Sequence, residues 1–276
     1  MLPAPFSQLF APILLALIVF GANAIEAALG FGSTIIALAL GANLYPLTFL
    51  VPTLVPLRVL LSLYLTVRYR KEIDGGVLWR RIVPLTLVGL PVGLVAFSLL
   101  QSDALKVAFG LFVVALALLE LVKAGNPAPA QVAVVAETAA GPETTRIKKA
   151  QPEEMPLDRA AMWLIGGGIM QGLYASGGPM VAYYASRTLA GKGTFRSTLS
   201  ALWAALNIVM TLSYAATGRL SRRTVVGSLL LVPLVIAGIG AGEWLHGRVN
   251  ERVFRAMVFA MLLVAGVSLV VSAAGR

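Results

Sequence analysis

Cysteine is absent from the 276 residues, and histidine occurs once, at His246. No disulfide, thiolate nucleophile or cysteine-based metal site can form, and no cofactor or metal motif is expected. Charge is scarce as well. Asp, Glu, Lys and Arg together make up 12% of the chain, where a soluble domain carries about 25%. The remainder is largely apolar: 58% of residues fall in the AVILMFWYC set, with 27 glycines besides. Apolar runs of eighteen residues or more recur, which is how membrane-spanning helices read. Composition excludes an ordinary soluble enzyme and predicts an all-α polytopic membrane protein.

The formal net charge of +10 would suit a nucleic-acid binder, but the basic residues lie between the apolar runs, at Arg68 to Lys71, Arg80-Arg81 and Arg222-Arg223. Basic clusters flanking spans follow the positive-inside rule, so no nucleic-acid partner is expected. No basic segment precedes the first apolar run, and that run is expected to stay in the mature protein.

One stretch breaks the apolar rhythm. Residues 125–157 are rich in Ala, Pro, Glu and Thr, without an apolar period, and read as a flexible cytoplasmic linker. It separates a first transmembrane repeat at 1–124 from a second at 158–276. The halves resemble each other. The run beginning Asp103-Ala-Leu-Lys aligns with the run beginning Arg252-Val-Phe-Arg at an offset of 149, and the same offset carries Pro84 onto Pro233, Gly89 onto Gly238 and Gly93 onto Gly242. Near their starts, Gly30-Phe31-Gly32-Ser33 falls on Ser176-Gly177-Gly178-Pro179 at an offset of 146. Two homologous repeats are a transporter architecture.

Full spans are expected near 46–67, 82–100, 105–122, 198–217, 225–245 and 253–272. The opening stretch, 9–42, has 34 residues. As one helix it would be about 51 Å long, against a hydrocarbon core of about 30 Å. Each half is therefore expected to begin with a helix broken at its Gly cluster. Counting each broken stretch once gives eight spans, with basic residues divided 14 against 7 between the two faces. Counting it as two segments gives ten, with a division of 16 against 5. The sharper asymmetry favours ten segments in inverted repeats.

A helix that restarts inside the membrane presents unpaired N–H groups and the positive end of its dipole, an arrangement suited to an anion. Gly30 and Gly32 in the first half, and Gly177 and Gly178 in the second, are candidates to build such starts, with Pro179 fitting the first helical turn. Glycine at these places could equally serve close helix packing. Arg58 lies within an apolar run, where a guanidinium costs several kcal/mol unless partnered. It could bind an anion, pair with Glu26, or snorkel to a membrane face. Glu26, the only carboxylate deep in a predicted span, could hold Arg58 or act as a proton-coupling residue. Asn23 and Ser33 flank the first break, while Gln171, Tyr174 and Ser176 precede the second. Their amides and hydroxyls could coordinate an oxyanion or simply tie helices together. Arg196 begins the next span and Asn207 lines it.

Weaker patterns carry little. Gly238-Ile-Gly-Ala-Gly242 resembles part of a dinucleotide loop, but no strand precedes it and packing is expected. Ser176 with His246 could form an intramembrane serine hydrolase pair, although they are expected at different depths.

At these residues the sequence resembles the sulfite exporter TauE/SafE family. The likeness rests on Gly30-Phe31-Gly32, on Thr53-Leu54 with Tyr69-Arg70-Lys71-Glu72-Ile73-Asp74, and above all on Ser176-Gly177-Gly178-Pro179 followed by Phe195-Arg196-Ser197-Thr198-Leu199. The resemblance implies transport of small sulfur-containing or related organic anions, such as sulfite or sulfoacetate, across a bacterial cytoplasmic membrane. It also implies that both Gly-rich breaks and Arg196 belong to the substrate region. The resulting expectation is a secondary transporter working by alternating access, and not an enzyme; an anion channel or the serine hydrolase are the other readings. Its partners would be the lipid bilayer, a small anion, a coupling proton or sodium ion, and a second copy of the chain in a homodimer.

Overall fold

The computed structural model describes residues 4–29, 32–100, 102–125, 155–189, 191–246 and 251–274. Among these there are ten helices and no strand. They are α1 (Ala4–Leu29), α2 (Ser33–Gly41), α3 (Leu47–Arg68), α4 (Gly75–Leu99) and α5 (Ser102–Gly125), then α6 (Leu157–Tyr174), α7 (Gly178–Thr188), α8 (Lys192–Ala216), α9 (Arg222–His246) and α10 (Glu251–Ala274). Most of the linker expected at 125–157 lies outside the described residues.

The helices are built for lipid. Leu47–Arg68, Gly75–Leu99, Gly193–Ala216 and Arg222–Gly242 are each long and apolar enough to cross a membrane, and Phe10–Glu26 and Val258–Ala273 are shorter apolar segments. Val88, Val92, Val95 and Leu99 on α4, and Val264, Val267 and Val271 on α10, are exposed at helical spacing. Apolar stripes of this kind facing outward suit hydrocarbon and not water. All-helical among its described residues, the chain is a polytopic membrane protein.

The opening stretch at 9–42 divides as its length requires, and the second half opens with a broken helix as well. After α1 the chain turns through Gly32, whose φ of 103° lies in the left-handed region, and restarts as α2 with Gly32 at its N-cap. After α6 it turns through Ala175 at φ 50°, where the Ala175 N–H still reaches the Gln171 carbonyl. It restarts as α7, with Pro179 in the first turn. At 9 and 11 residues, α2 and α7 are about 14 and 16 Å long, roughly half the hydrocarbon thickness.

Proline shapes the longer helices. Pro84 has no N–H and its ring crowds the carbonyl four residues back, and a π-helical turn, Leu78–Ile82, immediately precedes it. In α3, Pro52 and Pro56 leave backbone carbonyls unpaired in the turns before Arg58. The neighbouring Thr53 carbonyl accepts a hydrogen bond from Ser228 of α9 at 2.6 Å.

The main helix pairings cross between the halves: α1 with α9, α4 with α6, α3 with α8 and α5 with α10. Glycine makes the approach close. A Cβ added at Gly89 or Gly93 of α4 would stand 2.1 or 2.2 Å from the carbonyl oxygens of Ile165 or Ile169 in α6. One added at Gly168 or Gly172 of α6 would stand 2.1 or 2.4 Å from those of Thr86 or Leu90. Gly238 of α9 meets the Phe20 carbonyl of α1 in the same way, at 2.5 Å. Gly238 to Gly242 lies within a continuous helix, where Gly238 serves packing.

Helices α3 and α8 pack with the C-terminal end of α3 against the N-terminal end of α8. There Arg196 lies over the Tyr69 ring at 5.2 Å, and the Asp74 N–H donates to the Thr198 hydroxyl at 3.0 Å. Arg58 and Asn207 each stand eleven residues from that Tyr69–Arg196 contact, about 16 Å along their helices. The antiparallel pair thus carries them at one depth.

Candidate functional site

The first break is organised around a carboxylate. Glu26 sits in the last turn of α1, seven residues before Ser33, and its side chain folds over the start of α2. Its Oε2 accepts the backbone N–H of Ser33 at 2.9 Å. Arg58 arrives from α3 and grips the same carboxylate with both terminal nitrogens: Nη1 donates to Oε1 at 3.0 Å and Nη2 donates to Oε2. The third guanidinium nitrogen, Nε, donates to the Thr34 hydroxyl at 2.9 Å. This is a two-pronged guanidinium–carboxylate pair of the strong, geometrically selective kind. Its side chains are only 17% and 23% exposed.

Arg58 has its partner inside the protein. It neither snorkels nor stands free; Glu26 holds it. A guanidinium and a helix N-terminal N–H converge on the two carboxylate oxygens, while the Thr34 hydroxyl accepts from the guanidinium and orients it. Beside it lies a cavity of about 20 Å³ bounded by Val19, Asn23, Ser33, Thr34, Ala37, Leu54, Leu57 and Arg58. That is room for about one water. Asn23 lines this cavity, with its amide donating to the Val19 carbonyl at 2.7 Å. Gly32 supplies the left-handed turn before Ser33, and Gly30 lies outside the described residues.

The second break is closed by a device of the same shape without charge. Gln171 of α6 sits six residues before Gly177, and its Oε1 accepts the Gly177 N–H at 3.1 Å. Its Nε2 donates to Asn207 Oδ1 on α8 at 2.9 Å and lies 3.7 Å from the Met210 sulfur. All of this is buried, with Gln171 and Asn207 2% and 4% exposed. Gly177 is needed for packing, because a Cβ there would stand 2.2 Å from the Gly167 carbonyl; Gly178 has open space. Tyr174 donates to the Leu105 carbonyl of α5 at 3.0 Å, and Ser176 to the Tyr174 carbonyl at 2.9 Å. The Ser176 hydroxyl is thereby engaged with backbone. The His246 side chain lies outside the described residues.

The expected site residues thus separate into three groups. Asn23, Glu26, Gly32, Ser33 and Arg58 come together at the first break, and Gln171, Tyr174, Ser176, Gly177, Gly178 and Asn207 at the second. Arg196 stands apart, exposed on the Tyr69 ring at one end of α3. Thr34 escaped the sequence reading. Its only local signal is its place two residues after Gly32, in the first turn of α2. Among the described residues no group of three or more His, Asp or Glu side chains could hold a metal.

Comparison with known proteins found no match among curated proteins and none among solved structures. A family model described as "Sulfite exporter TauE/SafE" matches residues 15–269, which include both breaks. The chain belongs to the sulfite exporter TauE/SafE family of membrane transporters.

Proposed function

We propose that this protein is a secondary transporter that moves small sulfur oxyanions or related organic anions, such as sulfite and sulfonates, across a bacterial cytoplasmic membrane by alternating access. One observation carries the reading: at a helix break within apolar surroundings, Arg58 and the start of α2 hold a carboxylate through contacts that a sulfonate or sulfite could make in its place. A cavity the size of one water beside this pair suits a carrier in a closed state better than an open pore.

The halves 1–124 and 158–276 are read as inverted repeats. Exchanging α1–α5 with α6–α10 maps the principal helix pairings onto themselves: α1 with α9 becomes α6 with α4, while α3 with α8 and α5 with α10 are unchanged. The antiparallel course of α3 and α8 is what a two-fold axis in the membrane plane would produce. Rocking of one bundle against the other would then expose the breaks to each side in turn.

The test is thermal stability of the purified protein against sulfite, sulfate, methanesulfonate, sulfoacetate and matched carboxylates, since a ligand that prefers the folded state raises it. Stabilisation by sulfur oxyanions, lost when Arg58→Asn is combined with Glu26→Gln, supports the reading. Equal stabilisation of that double variant removes the site from the transport path.

A further inference from the structure

The two breaks share one construction and differ in one respect. In each, a side-chain oxygen near the end of the long helix accepts the N–H that opens the half-helix, Glu26 to Ser33 and Gln171 to Gly177. In each, a side chain from the third helix of that half grips the capping residue, Arg58 on Glu26 and Asn207 on Gln171. Arg58 and Asn207 are 149 residues apart, the offset that also relates Pro84 to Pro233. The second device is a neutral amide pair, and the first is an ion pair. Both are built to hold the start of a half-helix, so structure alone does not require charge in the first.

We propose that the Glu26 carboxylate is an internal stand-in for the transported anion, and that an anion binds by displacing it from Arg58 and the α2 N-terminus while Glu26 takes up one proton. This rests on the transport reading above and adds its coupling. The displaced carboxylate would lose its guanidinium and its N–H in apolar surroundings, next to a newly bound negative charge. Both changes favour its neutral form. The exchange balances: one anion and one proton enter from solution, Arg58 stays protonated, and the O–H bond formed is on Glu26. The charge of the site is unchanged for a monovalent anion, so proton and anion move together. Gln171 cannot titrate, which leaves the second break as the fixed partner of a switch confined to the first.

The titratable groups on α3 and α9 are what else could carry that proton, with the side chains of Glu243 and His246 outside the described residues. Arg58 comes from α3, and α2 contributes only the Thr34 hydroxyl, having no titratable residue. Helix α9 packs on α1 with Gly238 beside Asn23. It bears Arg222 and Arg223 at its start and Glu243 and His246 in its last turns.

Calorimetric titration with methanesulfonate separates the possibilities, because that anion stays ionised throughout and any proton taken up belongs to the protein. Tris and imidazole buffers are used, since neither contains a sulfonate. Wild type is expected to take up one proton per anion bound, with affinity falling about tenfold for each pH unit above neutrality. Glu26→Gln is expected to bind more tightly, take up no proton and keep one affinity across that range. Glutamine can keep the cap on Ser33, as Gln171 caps Gly177 at the second break, but it leaves Arg58 without its countercharge, so the titration uses Glu26→Gln protein whose thermal unfolding shows it folded. Binding by wild type without proton uptake overturns the inference and leaves the transport reading standing. Uptake that persists in Glu26→Gln assigns the proton to another group, such as Glu243 or His246, and overturns it too. If methanesulfonate, sulfite and sulfoacetate all fail to bind wild type saturably, the transport reading falls and takes this inference with it.

Discussion

Arg58 and Asn207 stand eleven residues from the same Tyr69–Arg196 contact, on antiparallel helices, and each grips the side chain that closes the start of a half-helix. One does so with a charged pair and the other with an amide pair. The charged version holds its half-helix through a guanidinium and a carboxylate, and the neutral one through two amides.

Removing Arg58 alone is therefore expected to be more harmful than removing the whole pair. Arg58→Ala leaves Glu26 partly buried with no countercharge, and breaking a buried pair in this way costs about 3–5 kcal/mol. Glu26→Gln with Arg58→Asn copies the second break and should melt closer to wild type. Thermal unfolding in one detergent or nanodisc preparation ranks the three proteins, and Arg58→Ala should be the lowest.

Gln171 is expected to matter for stability and not for charge. Gln171→Leu leaves the Gly177 N–H and the Asn207 amide without their present partners in a buried place. The expected loss is about 1–3 kcal/mol for each group left unsatisfied. A melting curve unchanged by this substitution would mean that α7 does not need its cap.

The glycine contacts predict a contrast within one helix. Gly238→Ala drives a methyl to within 2.5 Å of the Phe20 carbonyl and must push α1 away from α9, whereas a Cβ at Gly240 meets nothing within 4 Å. The first should destabilise by about 1–3 kcal/mol, as overpacking does. The second should be neutral or stabilising by up to about 1 kcal/mol, through helix propensity. Thermal unfolding of the two single variants checks the pair.

Thr34→Val removes the acceptor that orients the Arg58 Nε while keeping the side chain's size. A weakened anion affinity of about fivefold is expected, equivalent to about 1 kcal/mol, with little change in melting. Titration of the same anion into wild type and variant reads the difference.

Much of this was legible from residues alone, for identifiable reasons. A 34-residue apolar stretch with a Gly cluster inside it cannot be one straight span, so the break was forced by length. Arg58 and Glu26 stood out because ionisable groups in apolar runs are costly and need partners. That they are each other's partner could not be read from periodicity, since they lie 32 residues apart. The same limit hid the pairing of α4 with α6: Gly89 and Gly93 were visible as repeat markers, but the Ile165 and Ile169 carbonyls they meet belong to the other half. Arg196 was grouped with the breaks by resemblance, yet its place at the head of α8 sets it on Tyr69, far along α3 from Arg58. Gln171 was noticed as a polar residue before a Gly cluster. Its part as a cap emerged only once the chain's turn through Ala175 brought Gly177 back to it.

The central claim is that anions cross at the charged break. It is tested most directly by flux of radiolabelled sulfite or sulfoacetate into proteoliposomes, comparing wild type with the Glu26→Gln, Arg58→Asn double variant at equal amounts of folded protein. Saturable flux in wild type that vanishes in the folded double variant is the predicted result. Flux of the same rate and saturation in both would contradict the account.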